Sequence, residues 1–382
     1  MNHLDARYLL PLLGVLAAVW LALALSVLLT RVGQNTAAAL LRRLHAIVLR
    51  GEEPSVRLPR RLLERAVADP STPAPVAKLF TARLLEHHGA QLVREARGET
   101  GRRWRRVRAL TVLTRARSAN AVPLLAEALE SGDEELVAAV VPLLGELGEL
   151  DSSAVLVRAL RTNAFARSRV AAQLDESSRP IPQLLLPLLG DGDSQVRYWG
   201  VALLARYAGA EAIERELVRS ATDPDPSVRA AAVEGLARRR TQAAGLTAAA
   251  LLEDPVWFVR AHAARALRDL NGGNGPAVAS LLADRSWWVR AAAKETLEAR
   301  PGLALELLLA YLDHEDEFAR NGAAEVLQNT GVLDALLGEA SGSVPETAQR
   351  ILAAGSRRLA GTAAARNGLD REHLEQLAAT RP

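Results

Sequence analysis

Two patterns of apolar residues organise the chain. The first is an unbroken run: Tyr8 to Thr30 contains no charged residue and is mostly Leu, Ala and Val. As a helix it would reach roughly 34 Å, more than the ~30 Å of a bilayer's hydrocarbon core. The run predicts a transmembrane helix over 8–30. A cleaved signal peptide is the competing reading, because Ala22-Leu23-Ala24 offers a small-residue site; the apolar run nevertheless continues through Val27, Leu28 and Leu29. Arg31, Arg42, Arg43 and Arg50 follow the run, and Arg7 alone precedes it. The positive-inside rule then places the C-terminal body in the cytoplasm. The expected localisation is a single-pass protein of the cell membrane with a cytoplasmic body. Over residues 36–49, Leu40, Leu41, Leu44, Ile47 and Val48 keep helical spacing with the arginines set off the stripe. That stretch reads either as an interfacial helix on anionic lipid or as the first packed helix of the body.

The second pattern is a phrase that recurs. DGDSQVRYWGVALL (191–204), DPDPSVRAAAVEGL (223–236), DPVWFVRAHAARAL (254–267) and DRSWWVRAAAKETL (284–297) are variants of it. With the Arg of Val-Arg as anchor, the series runs Arg106, Val137, Arg167, Arg197, Arg229, Arg260, Arg290 and Arg320, at spacings of 30 to 32. A degenerate copy centres on Ala77, with Phe80 and Leu84 in the matching apolar places. The residue before the anchor is apolar, as in Val196, Val228, Val259, Val289 and Ala319. Three and seven residues after it come Ala232 and Leu236, Ala263 and Leu267, Ala293 and Leu297, Ala323 and Leu327. These steps of four line one face of a helix, and the small residue lets a neighbouring helix come close. Four residues before the anchor stand Asp133, Asn163, Asp193, Asp225, Ser286 and Asp316, residue types that cap a helix start; Val256 breaks this column. Second helices end near Leu129, Leu189, Leu252, Leu282 and Leu312, and Gly272-Gly273-Asn274-Gly275 marks an internal turn.

The expected fold class is therefore all-α: an α-α superhelix with one N-terminal transmembrane helix. The expected divisions are an N-terminal tail (1–7), the span (8–30), a basic helical region with a degenerate repeat (31–100), the repeats (101–340), and a C-terminal capping helix and tail (341–382).

These columns resemble HEAT repeats, in particular the short bacterial HEAT-like repeat named after phycobilisome lyases. The resemblance covers about residues 100–340. It implies stacked helix pairs with a concave binding surface. It also implies that each anchor Arg pairs with an Asp of its own entry turn or of a neighbour's; Asp191, Asp223, Asp254 and Asp284 match that Asp. Val137 departs from the pattern, so the ladder should be interrupted there. Together with the apolar run, the arrangement is similar to bacterial single-span HEAT proteins that accompany membrane glycosyltransferases in polysaccharide assembly. That implies a scaffold or adaptor holding a membrane-associated protein partner. A lyase-type enzyme subunit is the alternative by resemblance, and a periplasmic binding module is the alternative if the topology is inverted.

Charge and composition sharpen this reading. Residues 31–117 carry a net +12, which leaves −9 on residues 118–382 of a total +3. The body is acidic behind a basic collar, which argues against a nucleic-acid groove and favours a basic partner. Arg102, Arg103, Trp104 and Arg105 form a dense basic patch at the collar end of the array. With Arg42, Arg43 and Arg50 they are the residues expected to face membrane lipid. The absence of Cys excludes disulfides, thiolate zinc sites and a thiol nucleophile. His314-Glu315 is a single His-Glu pair, and the adjacent His87-His88 point to different helix faces. No Walker loop, GxGxxG or G-x-S-x-G occurs. The expectation is a non-enzyme with no catalytic residues, no metal and no cofactor.

The aromatic residues fall in columns. Phe165, Phe258, Trp288 and Phe318 stand two before their anchors, and Trp257 and Trp287 stand three before. A repeated column becomes a stripe along a stack. It reads either as a partner-binding hot spot or as filler covering the turn between helices.

Overall fold

The computed structural model describes residues 59–379, apart from 70, 164, 177–178, 208–209, 271–273, 301, 303, 339–343, 356 and 369. The described residues are helical throughout, with no strand. The expected span (8–30), the stretch 36–49, and Arg42, Arg43 and Arg50 lie outside them. Among the described residues no helix is long and apolar enough to cross a membrane. The one of sufficient length, Ala74–Arg97, carries Lys78, Arg83, Glu86, Arg94, Glu95 and Arg97 along its 24 residues. The expected single-pass membrane localisation is corrected accordingly: no described element provides a span.

The chain divides into two compact units, with the division between Ala159 and Leu160. The first contains α1 (Arg60–Ala68), α2 (Ala74–Arg97), α3 (Arg103–Arg115), α4 (Ala121–Leu129), α5 (Glu134–Leu147) and most of α6 (Leu150–Thr162). Helix α1 packs on α2, α2 on α3, and both α3 and α4 on α5. Phe80 and Leu84, the apolar pair of the degenerate repeat, are fully buried with Leu110, Leu113, Leu125 and Leu144. Helix α2 ends on Gly98, whose left-handed φ of 87° lets its N–H turn back onto Glu95 O.

The second unit continues with α7 (Arg167–Asp175), α8 (Pro182–Leu185), α9 (Ser194–Leu204), α10 (Glu211–Ser220), α11 (Pro226–Ala237), α12 (Gln242–Ala250), α13 (Trp257–Asp269), α14 (Gly275–Ser280), α15 (Trp287–Ala299), α16 (Leu305–Tyr311) and α17 (Glu317–Asn329). It closes with α18 (Val332–Gly338), α19 (Glu346–Ala354), α20 (Arg357–Asn367) and α21 (Arg371–Ala379). The anchor helices α9, α11, α13, α15 and α17 pack each on the next. The apolar columns explain why. Val196, Val228, Val259, Val289 and Ala319 are all buried, as are the small and Leu columns from Ala232 and Leu236 to Ala323 and Leu327. In α9 the small residue is Gly200, where an added Cβ would lie 2.8 Å from Leu188 Cβ. One polar group joins this packing: the buried Thr296 hydroxyl lies 2.8 Å from Ala264 O on α13 and 2.9 Å from Ala292 O on its own helix.

The helix starts follow the Asp column. Asp133, Asp193, Asp225 and Asp316 each accept a backbone N–H of the first turn. Val256 and Ser286 make no such bond. Asn163 departs from expectation: it takes a left-handed φ of 52° after α6, and α7 starts only at Arg167. Three second helices finish in short 3₁₀ turns, Leu186–Gly190, Leu251–Glu253 and Leu281–Ala283, which deliver the chain to Asp191, Asp254 and Asp284.

Candidate docking surface

The anchor arginines build a ladder between successive entry turns of the second unit. The Nη1 group of Arg229 donates to the carbonyls of Asp223 and Pro224 in its own turn, at 2.9 and 3.1 Å. Its Nε and Nη2 groups donate to both carboxylate oxygens of Asp254 in the next turn, at 2.7 and 2.9 Å. Arg197 does the same with Asp191 O and Gly192 O behind it and Asp223 ahead. Arg260 repeats it with Asp254 O, Pro255 O and the Asp284 carboxylate. Each of these Asp side chains also accepts the N–H two residues on, of Asp225, Val256 and Ser286. Burial raises the carboxyls of Asp223, Asp254 and Asp284. The arginine hydrogen bonds, the backbone N–H groups and the arginine charge outweigh that and hold all three below the usual carboxylate range. Arg167 is a variant rung: it donates to Leu160 O and to Asp193, while Arg161 takes Asp191. In the first unit the place of the anchor is taken by buried Val137, and Arg106 reaches Ala96 O.

The ladder changes at the next rung. Arg290 keeps its own-turn bonds, to Asp284 O at 2.8 Å and Arg285 O at 3.3 Å. The residue 24 positions ahead, where Arg260 finds Asp284, is His314. Its Nδ1 accepts the Asp316 N–H at 3.0 Å, reproducing the Asp turn without the carboxylate. The guanidinium of Arg290 lies instead over Phe318, 4.1 Å from the ring centroid. Sequence reasoning did not single out Arg290 and His314 as a pair; the signal was available, since His314 follows a column that is Asp at 191, 223, 254 and 284.

The aromatic column gathers at the same place. Trp257, Trp287, Trp288 and Phe318 are 44%, 58%, 55% and 58% exposed. Trp257 stacks on Trp288 across the repeat (6.4 Å, 25°), Trp287 meets Trp288 edge-on at 4.8 Å, and half-buried Phe258 meets Trp257 edge-on at 5.8 Å. Trp287, Arg290 and Phe318 share a cavity of about 230 Å³, flanked by the Lys294–Glu325 ion pair. Five of the six expected column residues thus lie in three consecutive repeats. Phe165, three repeats earlier, meets only the Arg169 guanidinium among ring contacts, at 5.8 Å.

The basic patch is engaged within its own unit in part. Arg103 donates to Asp133 at 2.7 Å and pairs with Glu135. Arg108 pairs with the buried Glu64, which also holds Arg60. Trp104 is exposed with Arg105 5.4 Å over its ring, and Arg102 is exposed. Among the described residues no group of three or more His, Asp or Glu could hold a metal ion.

Residues 181–268 match the family model of HEAT repeats. No curated protein matches the chain. Similar solved structures include human deoxyhypusine hydroxylase in complex with glycerol, at 18% identity over 68% of this chain and 100% of that one, TM-score 0.28. An engineered protein is 19% identical over 85% of this chain and 95% of that one, TM-score 0.32. The karyopherin Kap121p bound to the SUMO protease Ulp1p is 13% identical over 85% of this chain, TM-score 0.46; this chain spans only 44% of that one. By the family match, the stretch from Ile181 to Arg268 is similar to HEAT repeats.

Proposed function

We propose that this chain is a non-catalytic protein-docking scaffold whose second unit binds a partner protein through Trp257, Trp287, Trp288 and Phe318. The observation that carries this reading is the exposure of four large rings in one contiguous cluster. Filler rings would be covered by the turns they pack on. These rings are each about half exposed, and indole and phenyl groups so placed supply the anchors of protein interfaces. The Arg–Asp ladder behind them supports the finer assignment to the short HEAT-like repeat type. It gives the cluster a stiff base, so binding need not order the scaffold first.

The test is affinity capture on the full chain from the native host, wild type against Trp287→Ala/Trp288→Ala. The expected result is a stoichiometric protein lost from the variant, with thermal stability nearly unchanged. Two results would sink the proposal. One is the same proteins captured by both chains. The other is destabilisation of the variant by about 3–5 kcal/mol per ring, the cost of emptying a core site.

A further inference from the structure

We infer that Arg290 is an open rung of the ladder, and that the partner closes it with a carboxylate of its own: an Asp or Glu side chain next to an apolar residue seated on the aromatic cluster. This deepens the docking reading and rests on it.

The inference starts from a comparison within the molecule. Arg197, Arg229 and Arg260 use the same three nitrogens in the same way, Nη1 on their own turn and the Nε–Nη2 edge on the next turn's carboxylate. Arg290 repeats the first half and, among the described residues, has no carboxylate for the second. His314 cannot stand in. With Nδ1 accepting the Asp316 N–H, a neutral ring carries its proton on Nε2 and offers the arginine a donor. The Nε–Nη2 edge of a guanidinium matches the two oxygens of a carboxylate, so the vacant half of the rung specifies its ligand by shape as well as charge.

The surroundings fit that ligand. The Arg290 guanidinium sits over the Phe318 ring, which helps hold it in place. Of the two cations among the described residues that line the cavity, Lys294 is already matched by Glu325 at 2.6 Å, which leaves Arg290 for an incoming acid. Trp287 and Phe318 line the same cavity as Arg290, and at about 230 Å³ it has room for one short acidic side chain with an apolar neighbour on the rings. The net −9 of residues 118–382 favours a basic partner at long range. An acid received at Arg290 would add a requirement of position to that long-range preference.

The experiment is selection of a random peptide display library on the immobilised full chain, with the selected peptides then measured on variants. Enrichment of Asp or Glu beside a Leu, Ile or aromatic residue is expected. His314→Asp supplies the missing carboxylate internally. It should raise the thermal midpoint and weaken those peptides at least about tenfold, the worth of a charge-assisted pair. Arg290→Gln should weaken the same peptides comparably, which covers the case in which the His314 variant does not fold. Replacing the peptide's Asp by Asn should cost the wild type the same factor and cost the His314→Asp variant nothing. Selected peptides without an acid, bound equally by wild type and His314→Asp but lost on Trp287→Ala/Trp288→Ala, would overturn the open rung and leave the docking reading standing. Failure to select any peptide would overturn both.

Discussion

Arg229→Met separates a closed rung from an open one. In the native chain the Asp254 side chain is only 4% exposed and Arg229 13% exposed, so the pair is shielded from water. The substitution removes two bonds to the carboxylate and two to the turn carbonyls. Asp254 keeps the Val256 N–H but loses its counter-charge while buried. Breaking one side of a buried pair costs about 3–5 kcal/mol. Because the remaining N–H still supports the charge and Met fills part of the space, the lower end, about 3 kcal/mol, is expected. Arg290→Met removes only the two carbonyl bonds and the contact with Phe318. It should cost about 1 kcal/mol. The assay is urea denaturation of the full chain followed by far-ultraviolet circular dichroism, with the midpoint compared at constant slope. A cycle combining Arg229→Met with Asp254→Asn should give a coupling of about 1–3 kcal/mol. If the two arginine variants cost the same within about 0.5 kcal/mol, the ladder is not what ties the turns together and the distinction drawn at Arg290 fails.

Two further outcomes follow from the packing and the charges. Gly200→Ala would force a Cβ to within 2.8 Å of Leu188 Cβ and 3.2 Å of Leu189 Cδ1; a loss of about 1–3 kcal/mol is expected by denaturation, and a neutral result would show that α9 has room to move. Asp223, Asp254 and Asp284 titrate lower in the folded chain than in the unfolded one. Their stabilisation is therefore complete above the unfolded value of about 4 and is lost as pH falls through the lower folded values. The thermal midpoint should be flat above about pH 5 and fall below about pH 4, less steeply in Asp254→Asn; a midpoint unchanged between about pH 5 and 3 would refute the assignment.

Much of the second unit was legible because each repeat poses the same local problem. Period, cap and apolar column are near-neighbour features, and Val228, Ala232 and Leu236 are buried where their spacing put them. The direction of the ladder was not legible. Spacing alone allows an anchor Arg to meet its own turn or the next one, and the structure uses both, carbonyls behind and carboxylate ahead. Counting charge over 102–105 ignores partners about thirty residues away, and Arg103 is claimed by Asp133 and Glu135. Asn163 was read as a cap from its residue type, yet Asn also tolerates a left-handed φ, and there it ends a helix. The reach of 8–30 was a statement about length and polarity, and none of the described helices repeats that composition.

The position of the open rung also bears on how the surface arose from the repeat. Aromatic residues stand at 257–258 where the preceding repeat has Pro226 and Ser227, and they continue through 287–288 and 318. Over that stretch the Asp and cap columns weaken: Val256 and Ser286 supply no side-chain cap, and His314 supplies no carboxylate. Each change alone is a small loss of stability. Under the proposed docking role their coincidence in consecutive repeats has a physical logic, because rings offered to a partner are not shielded by capping side chains. The closed rungs at Arg197 and Arg229 hold the stack before the cluster, and the rung at Arg260 runs between Trp257 and Trp287. A single exposed Trp would need no explanation. Four exposed rings beside an arginine left half-bonded are hard to account for by folding alone, since an Asp at 314 would have completed the rung within the chain.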